Sequence, residues 1–330
     1  MFHRLQKVIS KILSLMGVTD YMWRNLPNGL YVFNYHRIGE PSASEFDHAI
    51  FSSSRRAFNL QVAALKQNFI IIDSYKLVEI MAENKLNEQR YAMITFDDGY
   101  VDNYLLAYPI LKAHAVSASF YISTDFIDSK HITWWDEIAY ILRNSCGQTY
   151  QLPNTSECFQ LIEENINNVI RQIINAAKSL QGSTINEILY DIRDKFPQAV
   201  EQLKEQDIAL FMSWSQIIEM ANNGMEIGSH TVSHKILSQL SDEEQLFEIT
   251  HSKTYLEEKL NRPVISIAYP VGRYHCYNQT SLEHVKKAKY LVGFNNEPGS
   301  HRSINNILDI NRFCVARDDI EYLKFECCFK

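Results

Sequence analysis

The sequence predicts an α/β protein in which parallel strands alternate with helices along most of the chain. Short runs rich in aromatic and β-branched residues, typical of buried strands, recur between segments with helical periodicity. About seven such strands are found, which is enough for an incomplete or a complete β/α barrel. Polar, chemically active residues follow two of these strands directly, and in parallel sheets that edge carries the active site.

Each predicted element has a recognisable sequence pattern. Strands are predicted at 30–36, 69–72, 91–96, 117–123, 225–230, 264–270 and 290–295. Helices are predicted near 58–67, 74–84, 102–114, 213–224, 241–260 and 281–289, and a terminal segment at 310–317 follows the last strand. The strand and helix patterns are interrupted between about 131 and 212, where the sequence is mostly helical and polar. We therefore expect a barrel from 30 to 330 that carries a helical insertion at about 131–212.

Residues 1–29 form a separate N-terminal segment with amphipathic character. Apolar residues recur there at helical spacing, with basic residues on the other side: Leu5, Val8, Ile9, Ile12, Leu13 and Met16 against Arg4, Lys7 and Lys11. Such a helix could lie on an acidic membrane surface. The alternative, which we favour from the sequence, is a helix packed on its own domain.

The composition excludes several functional classes. The 330 residues are 46% hydrophobic and carry a net charge of −7, so nucleic acid is not an expected partner. Six cysteines occur without a C-x-x-C motif, which argues against a disulfide framework or a cysteine zinc site and favours a reducing compartment. No apolar run is long enough to span a bilayer and no signal peptide is evident, so we expect a cytoplasmic protein, peripheral at the membrane if the N-terminal helix binds there.

Two adjacent acids end the predicted strand 91–96 in the run MITFDDGY (93–100). Burying two neighbouring carboxylates is costly unless a cation compensates them. A turn with a helix-capping aspartate is the structural alternative, because Asp and Gly are ordinary turn residues. Asp97 and Asp98 therefore indicate either a catalytic pair or a capped turn.

Two histidines four residues apart, His230 and His234, lie in the run GSHTVSH (228–234) at the end of another predicted strand. Spaced in this way they would share one helical face and could share a metal, although the pattern alone is weak. Together with Asp98 they make a ligand set that leaves positions open for water and substrate. Asp97 could then remain ionised as a general base that takes a proton from a metal-activated water.

The runs TFDDGY, SHTVSH and AYPVG, in this order, resemble the successive motifs of NodB-type polysaccharide deacetylases, carbohydrate esterase family 4. The resemblance implies a distorted (β/α)7 barrel that removes acetyl groups from N-acetylated sugars. It also implies one divalent metal, most often zinc, with cobalt or nickel as alternatives. By the same resemblance Asp97 is the general base, and the metal ligands are Asp98, His230 and His234.

The third motif departs from that family. Its usual arginine, which orients the base, is replaced here by Ala268, and its aromatic residue by Val271. We expect another cation to take the place of the missing arginine, with Arg312 as the candidate and a surface arginine as the alternative. The backbone N–H of Tyr269 is a candidate donor to the oxyanion, and Tyr100 is a candidate substrate contact.

The run NYHRIGE (34–40) resembles the early Tyr-His motif of permuted relatives, the exopolysaccharide deacetylases. His36 ends a predicted strand, so it could reach the same edge of the barrel as the aspartates. We expect it to protonate the departing amine as general acid. A structural histidine bonded to nearby backbone is the alternative.

The leading hypothesis is thus a metal-dependent N-deacetylase that acts on an amino sugar of a glycan or glycan precursor. A hydrolase of non-sugar amides on the same scaffold is one alternative. A non-catalytic carbohydrate-binding relative is another, and Ala268 is its best support. The intact set of two aspartates and two histidines argues against mere binding, which needs no base beside a metal.

Overall fold

The computed structural model describes residues 2–178, 185–316 and 318–329, with the side chains of residues 2–8 outside the described part. The chain forms two compact units. The first comprises Met1–Gly39, Ser52–Ser129 and Phe211–Lys330, and the second comprises Glu40–Phe51 and Lys130–Leu210. The last residues of the predicted insertion helix, 179 and 180, and the end of the terminal segment, Arg317, lie outside the described residues.

Strands and helices alternate along the first unit. The strands of the described chain are β1 Gly29–Tyr35, β2 Arg37–Ile38, β3 Phe51–Ser53, β4 Ile70–Ile71, β5 Arg90–Phe96, β6 Ser119–Ile122, β7 Thr149–Gln151, β8 Cys158–Gln160, β9 Glu226–Ser229, β10 Ser266–Ala268, β11 Val292–Phe294 and β12 Phe313–Cys314. The α-helices are α1 Phe2–Leu15, α2 Val18–Arg24, α3 Arg55–Asn68, α4 Ser74–Ala82, α5 Tyr108–His114, α6 Trp134–Arg143, α7 Ile166–Lys178, α8 Ile185–Lys195, α9 Pro197–Glu205, α10 Trp214–Asn222, α11 Asp242–Leu260, α12 Gln279–Lys287 and α13 Ile320–Phe329.

Seven strands form a curled, parallel, incomplete barrel in the order β11-β10-β9-β6-β5-β1-β12, and the short β4 pairs beside β5. An isolated parallel bridge joins Phe294 of β11 to Ile310, just before β12. The α/β class and the distorted barrel predicted from the sequence are confirmed. Because the strands are parallel, their C-terminal ends meet at one edge.

The inward faces of β1 and β5 show how the core changes into a site. Their side chains point inward at every second residue, and the pairs in register are Leu30–Tyr91, Val32–Met93 and Asn34–Thr95. The first two pairs belong to the apolar core, where full burial of a side chain such as Val32 stabilises the fold by about 1.5–3 kcal/mol. The third pair is polar and fully buried. A polar layer therefore lies directly below the edge at which Asp97 and Asp98 follow β5.

The second unit is a helical group with a small hairpin. Helices α6 to α9 pack together, and β7 and β8 form an antiparallel pair. The buried carboxylate of Asp136 accepts hydrogen bonds from the Thr133 hydroxyl and from the backbone N–H of Asp47. The sequence predicted helices here but neither the hairpin nor the inclusion of 40–51, because three-residue strands and a short polar segment carry little periodic signal.

The N-terminal helices α1 and α2 pack with each other and with α13 in the first unit. Thr19 and Trp23 of α2 are buried, and the ring of Trp23 packs against that of Phe69 with centroids 5.2 Å apart. The favoured expectation that α1 packs on its own domain agrees with these contacts, but its exposed apolar side chains do not make them. Ile12 remains 51% exposed and Leu15 88% exposed, whereas Ser10 is fully buried.

Candidate active site

A sharp turn after β5 sends the two adjacent aspartates in different directions. The backbone N–H of Asp97 still donates to the Tyr35 carbonyl at 3.0 Å, which continues the pairing with β1. Asp98 then adopts φ 74° and Gly99 φ 87°. The left-handed region is costly for most residues but is tolerated by aspartate and favoured by glycine. This turn separates the two carboxylates into two different networks.

The segment that contains His230 and His234 follows β9 as a loop rather than as a helix. The N–H of His230 donates to the Ile122 carbonyl at 2.9 Å, and the backbone turns at Thr231 and His234, with φ of 65° and 57°. The expectation that both histidines share a helical face is therefore wrong. Two left-handed residues in a four-residue span bring the rings together instead, with centroids 4.9 Å apart.

Asp98, His230 and His234 have the geometry of a metal site. Asp98 Oδ1 lies 3.4 Å from His230 Nε2 and 3.2 Å from His234 Nε2. Ligand bonds of about 2.1 Å in a tetrahedral zinc site place neighbouring ligand atoms about 3.4 Å apart. Asp98 Oδ1 is buried without a hydrogen-bond partner among the described residues, as expected of an atom that is turned toward a cation. These three residues therefore fit a divalent ion.

The surroundings prepare these side chains as ligands. His230 Nδ1 lies 2.8 Å from the Ala268 carbonyl, and donation there leaves Nε2 deprotonated and facing Asp98. Burial alone would raise the pKa of Asp98, but the two histidines outweigh it and hold that pKa well below its usual range. The third motif thus supports a ligand through Ala268, the position that lacks the expected arginine.

Asp97 is held by a separate, fully buried network. Arg312 donates from Nη1 to Asp97 Oδ1 and from Nη2 to Oδ2, both at 2.8 Å, and neither side chain is exposed. Arg312 Nε donates to the Asn295 carbonyl at 2.8 Å, which fixes the guanidinium. Burial would raise the pKa of Asp97, but the charge and the hydrogen bonds of Arg312 contribute to a net lowering. A cation therefore contacts Asp97 where the sequence hypothesis required one.

Two asparagines that sequence reasoning missed extend this network. Asn34 Nδ2 donates to Asp97 Oδ2 at 2.8 Å and to Asn296 Oδ1 at 3.1 Å. Asn296 Nδ2 in turn donates to the carbonyl of Val271, in the loop of the third motif. Gly272 in that loop has φ 68°, and a Cβ there would lie 2.9 Å from the Asn296 backbone nitrogen. The third motif is thus linked to Asp97 through asparagines rather than through an arginine of its own.

His36 lies at the same edge of the barrel as Asp97 but makes no hydrogen bond to that carboxylate. Its Nε2 is 4.0 Å from Asp97 Oδ2, which is too long for a hydrogen bond, and a quarter of its side chain is exposed. Burial lowers the pKa of His36, the charges of Asp98 and Asp97 raise it, and the net shift is downward. The histidine therefore favours its neutral form, and it must gain a proton before it can act as an acid.

Two predicted substrate contacts are engaged within the protein in this structure. The N–H of Tyr269 donates to the Phe294 carbonyl at 3.0 Å, and its hydroxyl donates to the Leu308 carbonyl at 2.7 Å. Neither group is available to an oxyanion in this arrangement. The ring of Tyr100 has no exposed surface, and its centroid lies 4.8 Å from that of Phe211, so the ring does not line an open surface in this arrangement.

Glu248 of α11 holds the loop between the two histidines. It is buried, and its Oε2 accepts from the N–H groups of Val232 and Ser233 at 2.9 Å each, while its Oε1 accepts from the Ser233 hydroxyl. On the other side, the carbonyl of Val232 accepts from the N–H of Asp125 at 3.0 Å. These bonds fix the loop between His230 and His234, two of the candidate metal ligands.

Replacing Glu248 with glutamine is expected to weaken zinc affinity about 10-fold, because one acceptor oxygen is lost and the loop loosens. Titration of the purified protein with zinc against a chromophoric chelator measures this. Glu257→Gln is the matched control, since Glu257 lies on the same helix and accepts from the Val264 N–H at 2.9 Å, away from the histidine loop. Equal affinities of the two variants would contradict a role for Glu248 in the loop.

Comparison with known proteins agrees with this geometry. A family model described as polysaccharide deacetylase matches residues 84–293, more than half of the chain. The Bacillus subtilis protein YxkH, named as a polysaccharide deacetylase, is 24% identical over 237 residues, which are 72% of this chain and 56% of that relative. This chain therefore spans little more than half the length of that relative.

Solved structures show the same fold. The Streptococcus pyogenes deacetylase PplD, in complex with acetate, superposes with a TM-score of 0.57 at 22% identity over 88% of this chain and 93% of that one. IcaB from Ammonifex degensii gives a TM-score of 0.58 at 19% identity over 91% of this chain and 97% of that one. Because these structures are less than 25% identical in sequence to this chain, they show a shared fold only. Family membership is shown by the family model that matches residues 84–293. The chain belongs to the polysaccharide deacetylase family.

Proposed function

We propose that this protein is a metal-dependent N-deacetylase that removes acetyl groups from an amino sugar in a glycan or glycan precursor. The observation that carries the proposal is the separation of two adjacent carboxylates. Asp98 faces two histidines in a ligand set, while Asp97 is held by Arg312 and kept ionised. A binding protein would need no such buried base beside a metal site.

The ligand set would be Asp98, His230 and His234, with zinc as the expected ion and cobalt or nickel as alternatives. When bound, the ion would polarise the acetamide carbonyl and make water a better nucleophile. Asp97 would take one proton from the attacking water while Arg312 and Asn34 hold its carboxylate in place. The scissile C–N bond breaks as the nitrogen gains a proton, and the products are acetate and a free amine.

His36 is the proposed donor of that proton. Because His36 favours the neutral form, it would have to gain a proton in each catalytic cycle. Asp97, whose carboxylate lies 4.0 Å away, would pass on the proton that it took from water. The family match begins at residue 84 and ends at residue 293, so the roles of His36 and Arg312 rest on geometry. The early Tyr-His motif supports a place in the exopolysaccharide deacetylase subgroup.

The decisive experiment measures acetate release by the zinc-loaded protein from a panel of N-acetylated substrates. The panel contains N-acetylated oligosaccharides, nucleotide-linked and lipid-linked N-acetyl sugars, and acetylated lysine peptides as non-sugar amides. Asp97→Asn should keep the metal and lose acetate release. Activity on peptides alone would favour the non-sugar hydrolase, and a metal-loaded protein that is inactive on the whole panel would favour the binding relative.

Asn34 offers a test of how the base is positioned. Asn34→Leu removes the donor to Asp97 Oδ2 while keeping a side chain that branches at Cγ, and we expect kcat to fall about 10-fold to 100-fold with KM and zinc affinity little changed. The measurement is steady-state kinetics on the best substrate of the panel, together with a zinc titration.

Asn295→Leu is the matched control for this test. Asn295 is equally buried and donates to Asp309 and Asn311 but not to Asp97. If both variants lose the same activity, or if Asn34→Leu loses zinc, Asn34 has a general structural role rather than one at the base.

A further inference from the structure

Helix α1 packs with its polar side inward. Ser10 is fully buried, and the hydroxyl of Ser14 donates to Glu321 of α13 at 2.8 Å. Leu13 is half-buried, whereas four other apolar side chains at the end of this segment are exposed. Their exposed fractions are 39% for Ile9, 51% for Ile12, 88% for Leu15 and 70% for Met16. A helix that only stabilised the domain would bury these residues and expose its serines.

The charge of α1 indicates what covers this face. The helix sequence contains Arg4, Lys7 and Lys11 and no acidic residue. At 100° per residue these three positions form one stripe that borders the apolar face, and the exposed Lys11 lies next to Ile12. A cationic stripe beside an exposed apolar face is typical of helices that lie in the headgroup region of anionic membranes.

Neighbouring features agree with contact at a membrane surface. Tyr21, on the adjoining helix α2, is 71% exposed, and tyrosine is favoured at the boundary between water and lipid. Among the described residues, no helix is both long enough and apolar enough to cross a bilayer. Any contact through α1 would therefore be peripheral.

We propose that α1 docks the protein on an anionic lipid bilayer. Its face of Ile9, Ile12, Leu15 and Met16 enters between the headgroups, and the basic stripe contacts anionic lipids. Arg4 and Lys7 are assigned to the stripe by their sequence positions in α1, and their side chains lie outside the described part. Docking does not depend on the proposed reaction, so the two can fail separately.

Vesicle flotation of the full chain tests this docking. The vesicles contain phosphatidylcholine alone, or with about a third of phosphatidylglycerol, at low salt because headgroup attraction is screened. The wild-type protein should float with anionic vesicles and weakly or not at all with zwitterionic ones. Ile12→Asp should reduce binding at least about 10-fold, and Lys11→Gln should reduce binding to anionic vesicles only.

Leu60→Asp is the matched control. Leu60 of α3 is 52% exposed, close to the 51% of Ile12, and the substitution adds the same charge. It should leave binding within about twofold, and unchanged circular dichroism spectra show that each variant is folded. Absence of wild-type flotation, or equal loss in the Leu60 variant, would overturn the proposal. A wild-type dimer that Ile12→Asp converts to monomer would assign the face to a second copy instead.

Discussion

Replacing His230 with alanine is expected to abolish metal binding and acetate release together. The imidazole is 1% exposed, and only Asp98 and His234 remain as ligands once it is removed. Loss of an outer partner of a ligand already costs 10-fold to 100-fold in affinity, so loss of a ligand should exceed about 100-fold. Mass spectrometry of the metals should find about one ion per wild-type chain and almost none in the variant.

The stability of the protein gives a second readout that needs no substrate. A ligand that binds only the folded state at 100 times its dissociation constant stabilises that state by about 2.7 kcal/mol. Added zinc should therefore raise the melting temperature of the metal-free wild-type protein and leave that of His230→Ala unchanged. A chelator should remove activity from the wild type, and zinc should restore it.

His284→Ala is the matched control. His284 is also buried, but its Nε2 lies 2.9 Å from Asp242 on the surface of α11 and α12, away from the ligand set. This variant should lose some stability and retain its metal. A wild-type protein that binds neither zinc nor cobalt nor nickel would leave the two aspartates as a turn, and the binding relative would become the leading hypothesis.

The ligand residues were predictable because the information is local. Asp98 lies two residues after the predicted strand 91–96, His230 ends the predicted strand 225–230, and parallel strands end at one edge. The shape of the histidine loop was not predictable in this way. It depends on left-handed backbone at Thr231 and His234, which Glu248 and the end of β6 stabilise from distant parts of the chain.

The neighbours of Asp97 show a different limit. Arg312 is 215 residues from Asp97 in the sequence, and only the fold of the barrel brings the two side chains together. The resemblance showed that a cation was missing at Ala268, but not which residue supplies one. Asn34 did leave a signal, since it is the one polar residue of the inward series Leu30, Val32 and Asn34. Such a break in a buried alternation marks a polar layer.

The surroundings of the two predicted substrate tyrosines depend on tertiary structure rather than on local sequence. Whether the N–H of Tyr269 is available depends on its pairing with β11, and the exposure of Tyr100 depends on how Phe211 packs against it. The same holds for 40–51, which joins the second unit through a tertiary contact of Asp47. Composition and periodicity carry none of this information.

Replacing Arg312 with methionine is expected to destabilise the protein by about 3–5 kcal/mol, because Asp97 would remain buried without its charge partner. Urea unfolding of metal-free protein, with a chelator in all samples, measures this free energy. Acetate release should fall as well, since the base would lose both bonds that orient it. Arg312→Lys should recover part of the stability but less of the activity, because an ammonium cannot reproduce the bidentate contact.

A double-mutant cycle separates the pair from its surroundings. Asp97→Asn combined with Arg312→Met removes both charges, so the double variant should be more stable than Arg312→Met alone. Additive effects of the two substitutions would contradict a coupled buried pair.

Arg37→Met is the control for buried arginines in general. Arg37 pairs with Asp102 at 2.8 Å, with side chains only 10% and 11% exposed. It should cost comparable stability and much less activity, since it does not contact Asp97. Equal losses of activity in the two variants would show that the arginines act through stability alone. A selective loss at Arg312 would instead show that this arginine, contributed from outside the third motif, orients the base.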